Sequence, residues 1–263
     1  MILVPKKSLS QNFLLNKKII KNIVDLGEIS NESIIIEIGP GTGNLTEEIL
    51  KKKPNKFFAI EKDQNLSIEL KNKFQSSLDI INEDVLTINW NRFSNVPVIV
   101  FGNLPYNISS KILINWIRLS NLDHLFKRFV LMFQKEVADR IVSKVDTSKY
   151  GRLSILTDWK LKAKKIMDIE PDNFYPKPKV KSSLVYFEPK NNYFEFKDPK
   201  SLEKVTNIFF QNRRKMIKKP LNILFNESSK IIKKLKLDEK SRPQNISPMI
   251  YFQLSRLYEE EKN

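Results

Sequence analysis

The chain has 263 residues, of which 41% are apolar, and its 46 Lys and Arg against 30 Asp and Glu give a net charge of +16. Cys is absent and His occurs once, at His124. This composition excludes disulfide frameworks, Cys nucleophiles, Cys-rich zinc sites and zinc-dependent nucleobase deaminases. A Ser-His-Asp hydrolase would have to use His124, which we expect at the surface, and we expect no metal site.

No run approaches the ~18 apolar residues that a membrane span needs. The first seven residues contain too short an apolar stretch for a secretory signal, so we expect a cytoplasmic protein. The positive charge favours a polyanionic partner. A genome-wide bias toward Lys, Ile and Asn is the alternative source of that charge.

Apolar segments alternate with helical patterns through the first half of the chain. An amphipathic helix around Ile19–Val24 comes first. Continuous apolar runs, typical of strands in a parallel sheet covered on both faces, then follow at 33–38, 57–60, 78–81, 96–101 and 128–133. Helical periodicity separates these runs, as in Ile112–Ile117. The Trp residues at 90, 116 and 159 lie in apolar patterns and are predicted to be packing residues.

The pattern changes after about residue 161. Strand-like segments end at 183–187, the polar residues 190–192 resemble a linker, and 200–258 have helical periodicity. We therefore predict a first domain over 1–189 and a second over 190–263. The second carries 17 Lys or Arg against nine Asp or Glu, so its density of positive charge is the higher one.

A glycine loop follows the first strand, in Glu37-Ile38-Gly39-Pro40-Gly41-Thr42-Gly43. Glycines at this point let the backbone turn tightly and approach a ligand closely. A dinucleotide fingerprint would need glycine at 44, where the chain has Asn44. The spacing G-x-G-x-G after an acid resembles the cofactor loop of S-adenosylmethionine-dependent methyltransferases; a plain structural turn is the alternative.

Acidic residues follow the next two strands. Glu61 comes 22 residues after Gly39, where a carboxylate can accept hydrogen bonds from both ribose hydroxyls. Asp84 follows the third strand and is placed to accept from the adenine amino group of a cofactor. Three strand ends in register make a shared ligand site the better interpretation.

The segment Gly102–Asn107 follows the fourth strand and suits chemistry on adenine. The exocyclic amine of adenine is a poor nucleophile, so a site that methylates it must hold both amino hydrogens with acceptors. The Asn103 side-chain oxygen and the Leu104 carbonyl can do so. Pro105 stiffens the turn, and Tyr106 can stack on an extruded base.

With these residues the chain resembles the small-subunit ribosomal RNA adenine dimethyltransferases, whose loss gives kasugamycin resistance. Besides the glycine loop and Gly102–Asn107, the matching segments are Ser10–Leu14, Gln134–Ala138, Tyr150–Ser154, Phe174–Val180, Gln211–Lys215 and Gln244–Ser247. The resemblance implies an α/β fold, with a Rossmann-like seven-stranded methyltransferase domain and a smaller, all-helical, basic C-terminal domain.

The resemblance also implies an S-adenosylmethionine site and its contacts, which would be Asn12, Leu14, Gly39, Glu61, Asp84 and Asn103. Asn103 and Leu104 would hold the target amine, with Tyr106 and Phe174 as base-stacking residues. The family transfers two methyl groups to each of two adjacent adenines near the 3′ end of small-subunit rRNA, so the partner would be that rRNA in a pre-30S particle. We expect a monomer, because no extended heptad pattern is present.

The basic run at 213–219 is predicted to dock rRNA phosphates, although a solvated helix face is the alternative. Arg213, Arg214, Lys215, Lys218 and Lys219 cannot all share a helix face, but helical spacing would place Arg214, Lys215 and Lys218 on one face.

Two rival functions stay open. Ser10 stands where the family usually has Gly and is typical of macrolide-resistance methyltransferases, which modify large-subunit rRNA. A non-catalytic RNA-binding assembly factor on the same fold is the other rival, and DNA adenine and protein glutamine methyltransferases are more distant.

Overall fold

The computed structural model describes residues 11–93 and 96–262, so Ser10 lies outside the described residues. The chain divides into two compact units. The first unit ends at Ala138 and resumes over Ala163–Pro189, and the second comprises Asp139–Lys162 and the residues from Lys190 on.

The first unit is built on a seven-stranded sheet and a two-stranded one. Their strands are β1 (Phe13–Leu14), β2 (Ile34–Ile38), β3 (Lys56–Ile60), β4 (Asp79–Ile81), β5 (Val98–Asn103), β6 (Phe126–Gln134), β7 (Leu161–Ile169), β8 (Phe174–Tyr175) and β9 (Ser182–Pro189). The order in the large sheet is β4-β3-β2-β5-β6-β9-β7, and β1 pairs with β8. The predicted strands are therefore present, each shifted by no more than a few residues.

The central strands β2 and β5 are buried on both faces, and apart from Glu37 in β2 and Asn103 at the end of β5 they carry no polar side chain. Every residue of β2 is buried, as are all but the last of β5. Strands β2 to β6 pair in parallel, whereas β9 runs antiparallel to β6. The chain proceeds outward from β2 through β3 to β4 and then returns to β5 on the other side. This reversal between β2 and β5 is where parallel sheets bind ligands, at the carboxyl ends of the strands.

Helices cover the sheet and connect its strands. They are α1 (Lys17–Asp25), α2 (Asn44–Leu50), α3 (Gln64–Phe74), α4 (Ser109–Ile117), α5 (Leu122–Leu125) and α6 (Lys135–Ile141), the last of which runs into the second unit. In α1 the Asn16 side chain caps the first turn by accepting from the backbone nitrogens of Lys18 and Ile19. Its apolar stripe, including Ile20 and Ile23, is buried as the periodicity predicts.

The described part of the second unit is helical apart from the first residues of β7. Its helices are α7 (Arg152–Lys160), α8 (Lys200–Gln211), α9 (Lys218–Leu224), α10 (Ser228–Leu235) and α11 (Pro248–Lys262). Phe209 of α8 and Tyr251 of α11 are fully buried, with ring centroids 5.3 Å apart. The fold class expected from the sequence, an α/β domain with a smaller helical one, is confirmed.

Residues 139–162 join the helices after Lys190, whereas the sequence analysis divides the chain only at 189/190. Side chains of this segment are held by the C-terminal part. The Tyr150 hydroxyl donates to the Ile246 carbonyl over 2.9 Å, and Trp159 Nε1 donates to the Phe194 carbonyl over 2.6 Å. These partners lie far along the chain, so no local pattern indicates the grouping.

The basic run does not continue a helix, which corrects the spacing argument. Helix α8 ends at Gln211, and 212–217 form a turn before α9. Asn212 leaves the helical conformation at φ −124° and ψ 55°, and the Ile217 nitrogen donates to the Ser241 carbonyl. The shared helix face expected for Arg214, Lys215 and Lys218 is therefore wrong.

Two smaller predictions are confirmed. Trp90, Trp116 and Trp159 are buried packing residues, and the His124 side chain is 83% exposed. Among the helices of the described residues, none has the length and apolarity for crossing a bilayer.

Candidate active site

A cavity lies at the carboxyl ends of β2 to β5, entirely within the first unit. Residues from five predicted site segments line it together, namely Asn12, Gly39, Glu61, Asp84 and Asn103 to Tyr106. Gln11, Phe13, Gly41, Lys62 and Val85 line it as well. The sequence positions span more than 90 residues, and the sheet brings them to one edge.

The glycine loop shapes the floor of the cavity. Gly39, Gly41 and Gly43 all have positive φ, at 66°, 58° and 81°, a region that only glycine adopts readily. A Cβ at Gly41 would lie 2.7 Å from the Phe13 ring. At Gly39 the nearest atom to such a Cβ is the Asn103 carbonyl oxygen, 3.7 Å away. The loop is therefore packed on its Phe13 side and bare where Gly39 lines the cavity.

The Glu61 side chain holds this loop through a hydrogen bond to its backbone. Its carboxylate accepts from the Gly41 nitrogen over 3.3 Å and from the Asp63 nitrogen over 2.8 Å. The residue is 7% exposed, and burial raises the pKa of its carboxyl, although the hydrogen bonds from Asp63 and Gly41 act in the opposite direction. The acid predicted from strand spacing is thus in the cavity and also orders the glycine loop.

Asp84 lines the cavity with both carboxylate oxygens engaged. Oδ2 pairs with Lys62 Nζ at 2.9 Å, and Oδ1 accepts from the Leu86 nitrogen at 2.9 Å. The hydrogen bond from Lys62 holds the pKa of this carboxyl below its usual range. No local pattern in the sequence indicates Lys62, because its pairing with Asp84 joins two adjacent strand ends 22 residues apart.

Asn103 is the last residue of β5 and is fixed by the N-terminal segment. Its Nδ2 donates to the Asn12 carbonyl over 2.6 Å. Because the nitrogen is engaged, the orientation of the amide is set and Oδ1 is the side-chain acceptor for a ligand. Leu104, the next residue, is buried and lines the same cavity.

Tyr106 follows in the same turn and is anchored by a residue of β9. Its hydroxyl lies 2.5 Å from the Ser182 hydroxyl, and Ser182 is fully buried at the start of that strand. Burial raises the pKa of the Tyr106 phenol. Ser182 is a second residue that the sequence analysis missed; its position two residues after the matching segment Phe174–Val180 is the only local signal.

Two predicted site residues are not among those that line the cavity. Phe174 is 4% exposed and belongs to the apolar core. Leu14 is 5% exposed, pairs with Phe174 in the β1–β8 ladder, and its carbonyl accepts from the Asn44 side chain. Stacking of Phe174 on a base would require its removal from that core.

The four basic residues of the predicted RNA contact lie in the second unit. Arg214 and Lys215 are exposed, and the Arg213 guanidinium donates to the Thr147 carbonyl over 3.0 Å. Lys218 pairs with Glu239 at 2.7 Å, with both side chains largely exposed. An exposed pair of this kind contributes little stability, so Lys218 stays accessible to phosphates, as are the exposed Arg214 and Lys215.

The cavity has the properties of a nucleoside site, with a glycine loop, the buried Glu61, the half-buried Asp84 and an Asn-Leu-Pro-Tyr turn at the point where the strand order reverses. β9, the last strand of the large sheet along the chain, lies between β6 and β7 and runs antiparallel to β6. Fold and site together define a Rossmann-like methyltransferase.

Comparisons with known proteins identify the family of methyltransferases to which the chain belongs. The family of ribosomal RNA adenine dimethylases matches residues 4–260. The ribosomal RNA small subunit methyltransferase A of Pelagibacter ubique is 51% identical over 260 residues, covering 99% of either chain. The protein of that name from the Wolbachia of Brugia malayi is 40% identical and covers 94% of either chain. This chain belongs to the ribosomal RNA adenine dimethylase family, whose members methylate adenines of rRNA.

Solved structures agree with this assignment. A dimethyladenosine transferase from Plasmodium falciparum is 27% identical, with a TM-score of 0.81, and the match covers 95% of this chain and 98% of that one. The 23S rRNA methyltransferase ErmE, 20% identical with a TM-score of 0.69 over 94% of this chain and 99% of its own, shares the fold.

Glu37, just before the glycine loop, supplies a prediction on pH. It is 1% exposed and accepts from the Thr46 hydroxyl over 2.7 Å. Burial raises the pKa of its carboxyl to about 8, with the hydrogen bond from Thr46 opposing and the nearby Glu61 adding to the rise. The folded protein therefore holds this proton more tightly than the unfolded chain, in which Glu titrates near ~4.3.

The contribution of this proton to stability is full below the unfolded pKa and is lost as the pH rises to about 8. Glu37→Gln stays neutral, so its free energy of unfolding should rise relative to the wild type across that window, by up to ~1.4 kcal/mol per pH unit. Urea unfolding at intervals across the window measures this, with the exposed Glu32→Gln as control. A difference between Glu37→Gln and wild type that is independent of pH would contradict the assignment.

Proposed function

We propose that this protein uses S-adenosylmethionine to dimethylate the N6 amines of two adjacent adenosines in the 3′-terminal hairpin loop of small-subunit (16S) rRNA. The observation that carries the proposal is the orientation of Asn103, whose amide nitrogen is bound to the Asn12 carbonyl beside the bare glycine loop. An acceptor oxygen for an amine is thereby oriented next to the cavity that the glycine loop and Glu61 line.

The residues present fit S-adenosylmethionine. Gly39 leaves room where a Cβ would stand in the cavity. Glu61 offers a buried carboxylate for ribose hydroxyls, and Asp84 offers a partly exposed carboxylate for the adenine amine. Asp84 would accept that hydrogen bond while also paired with Lys62. When bound, this cofactor supplies an electrophilic methyl group on a sulfonium, and its leaving group is a neutral thioether.

The chain's own groups act on the target adenine. Asn103 Oδ1 and the Leu104 carbonyl oxygen would accept the two amino hydrogens, which draws the lone pair of nitrogen out of the ring. Tyr106, held by Ser182, would stack on the extruded base. No acid has to protonate the leaving group, which agrees with a chain that has no Cys and one exposed His. Transfer forms the N–CH3 bond and breaks the S–CH3 bond, and the methylated nitrogen then releases one proton to water. One N–H remains, and one acceptor suffices to orient the amine for the second transfer.

The small subunit is the proposed target because the relatives with 51% and 40% identity are both named small subunit methyltransferases. We propose the pre-30S particle as the form recognised, a cytoplasmic location, and action as a monomer. Arg213, Arg214, Lys215 and Lys218 would bind rRNA phosphates. The large-subunit reaction rests on Ser10 alone, and the presence of Asn103 and Tyr106 argues against an assembly factor without activity.

Primer extension on rRNA from a deletion strain tests the proposal directly. The wild type should give two adjacent stops near the 3′ end of small-subunit rRNA, because a dimethylated N6 amine blocks base pairing. The deletion strain should lose both stops. Loss of a stop in large-subunit rRNA instead would favour the macrolide-resistance reaction, and no change in either would favour an assembly factor.

Removing the Glu61 carboxylate should weaken cofactor binding. Glu61→Ala leaves the ribose hydroxyls and the Gly41 nitrogen without their acceptor, so the affinity for S-adenosylmethionine should fall by ~1–3 kcal/mol. Calorimetric titration measures this, with Glu32→Ala, an exposed acid before β2, as the matched control. Equal affinity in the two variants would remove Glu61 from the cofactor site.

Asn103→Ala should abolish methyl transfer while binding of rRNA persists. The affinity for RNA comes mainly from phosphate contacts, and the variant loses only the acceptor that orients the amine. Methyl incorporation into undermethylated small subunits and filter binding to the same subunits separate the two effects. Dimethylation at a near-normal rate would refute the mechanism.

Replacing Arg214, Lys215 and Lys218 together with Ala should weaken binding to undermethylated small subunits. The slope of log affinity against log salt should decrease by roughly 0.7–0.9 for each phosphate that the variant no longer neutralises. A salt series in filter binding measures this, with the exposed Lys200, Lys233 and Lys234 replaced together as the control. If both triple variants keep the wild-type slope, the turn is only a solvated surface.

A further inference from the structure

A second concave surface continues from the cavity at the carboxyl ends of β2 to β5, which we call the cofactor cavity. It shares Gln11, Asn12, Tyr106 and Asn107 with that cavity and extends over the loop 176–180. We name it the loop groove. All of its residues belong to the first unit. An RNA strand that presents a base to Asn103 and Tyr106 must continue along a surface next to these two residues. The loop groove is such a surface.

The β1–β8 ladder decides which aromatic residue beside this loop is accessible. Leu14 pairs with Phe174, and Phe13 pairs with Tyr175. Side chains alternate along a strand, and opposite residues of an antiparallel pair lie on the same face. Phe174 and Leu14 are therefore buried together. Tyr175 shares the face of Phe13 and is 58% exposed. It does not line the loop groove itself but directly precedes Pro176, the first residue of the groove's loop.

The loop also presents positive charge. Lys179 is exposed and, within 11–93 and 96–262, no carboxylate lies within ion-pair distance of it. Lys177 pairs with Asp172, and both side chains are more than 60% exposed. An ion pair this exposed is easily exchanged for a phosphate. Val180 adds an apolar contact surface, 45% exposed.

An exposed aromatic ring next to accessible lysines is the combination with which proteins hold single-stranded nucleic acid, since bases stack on the ring and phosphates bind the cations. We propose that the loop groove binds the single-stranded rRNA next to the target adenosine, with a neighbouring base on Tyr175 and the backbone at Lys179. The inference rests on the proposed function and adds to it the residues that hold the flanking nucleotides.

Steady-state methylation of undermethylated small subunits tests the proposal. Tyr175→Ala should raise the KM for subunits about tenfold, which is within the effect of losing one base–aromatic stack. Tyr175→Phe keeps the ring and should stay within about twofold of the wild type. The KM for S-adenosylmethionine should be unchanged in both, which also shows that the first unit is folded.

Lys179→Gln should lower the salt slope of subunit binding by ~0.7, the value for one phosphate of a single strand. The matched control is Lys56→Gln. Lys56 is an exposed lysine and the first residue of β3, so it lies at the amino ends of the parallel strands, away from the cavity.

Failure of the proposed function and failure of the proposed RNA contacts give different results. If the wild type does not methylate small subunits, the proposed function fails. If it does, and Tyr175→Ala has the wild-type KM for subunits, the inference is overturned. A raised KM for S-adenosylmethionine in Tyr175→Ala would also overturn it, because the ring would then belong to the cofactor site. A salt slope for Lys179→Gln equal to that of Lys56→Gln would refute the phosphate contact.

Discussion

The reversal of strand order between β2 and β5 is the constraint on which the rest of the first unit depends. It leaves a gap at the carboxyl edge of the sheet that neither neighbouring connection covers. Only because these two strands are adjacent can Gly39, at the end of β2, lie near the Asn103 carbonyl at the end of β5. The glycine loop and the turn that begins at Asn103 are thus neighbours by topology.

Buried carboxylates at this gap have an energetic cost that the backbone offsets. Glu61 is desolvated, yet it accepts from two backbone nitrogens that would otherwise be unpaired. Glu37, one strand away, has a hydroxyl donor, and burial keeps its pKa far above that of an exposed Glu. Glu61, directly after β3, and Glu37, in the neighbouring strand β2, therefore have different structural roles. One orders the loop, and the other is stable there mainly in its neutral form.

The sequence predicted the strands and the cavity well because both depend on local signals. Continuous apolar runs indicate buried strands, and in a parallel sheet the residues after each run meet at one edge, which is why Glu61, Asp84 and Asn103 converge. Phe174 was expected at a base, but its pairing with Leu14 buries it, and that pairing joins positions 160 residues apart in the chain. The Lys62–Asp84 pair and the Ser182 anchor of Tyr106 likewise exist only after folding. The turn at 212–217 was missed because its backbone partner, Ser241, is remote.

The second unit is assembled from two separated stretches of chain, and this bears on how the protein can be divided. A protein shortened at Pro189 would retain 139–162 without the residues that hold it. Trp159 would lose the Phe194 carbonyl and the Phe196 ring, 4.9 Å away between centroids, and the Tyr150 hydroxyl would lose its acceptor. An exposed indole and an exposed phenol ring favour aggregation. Because the chain passes between the units at 138/139, 162/163 and 189/190, neither unit corresponds to one continuous stretch that could be exchanged among relatives by a single recombination event.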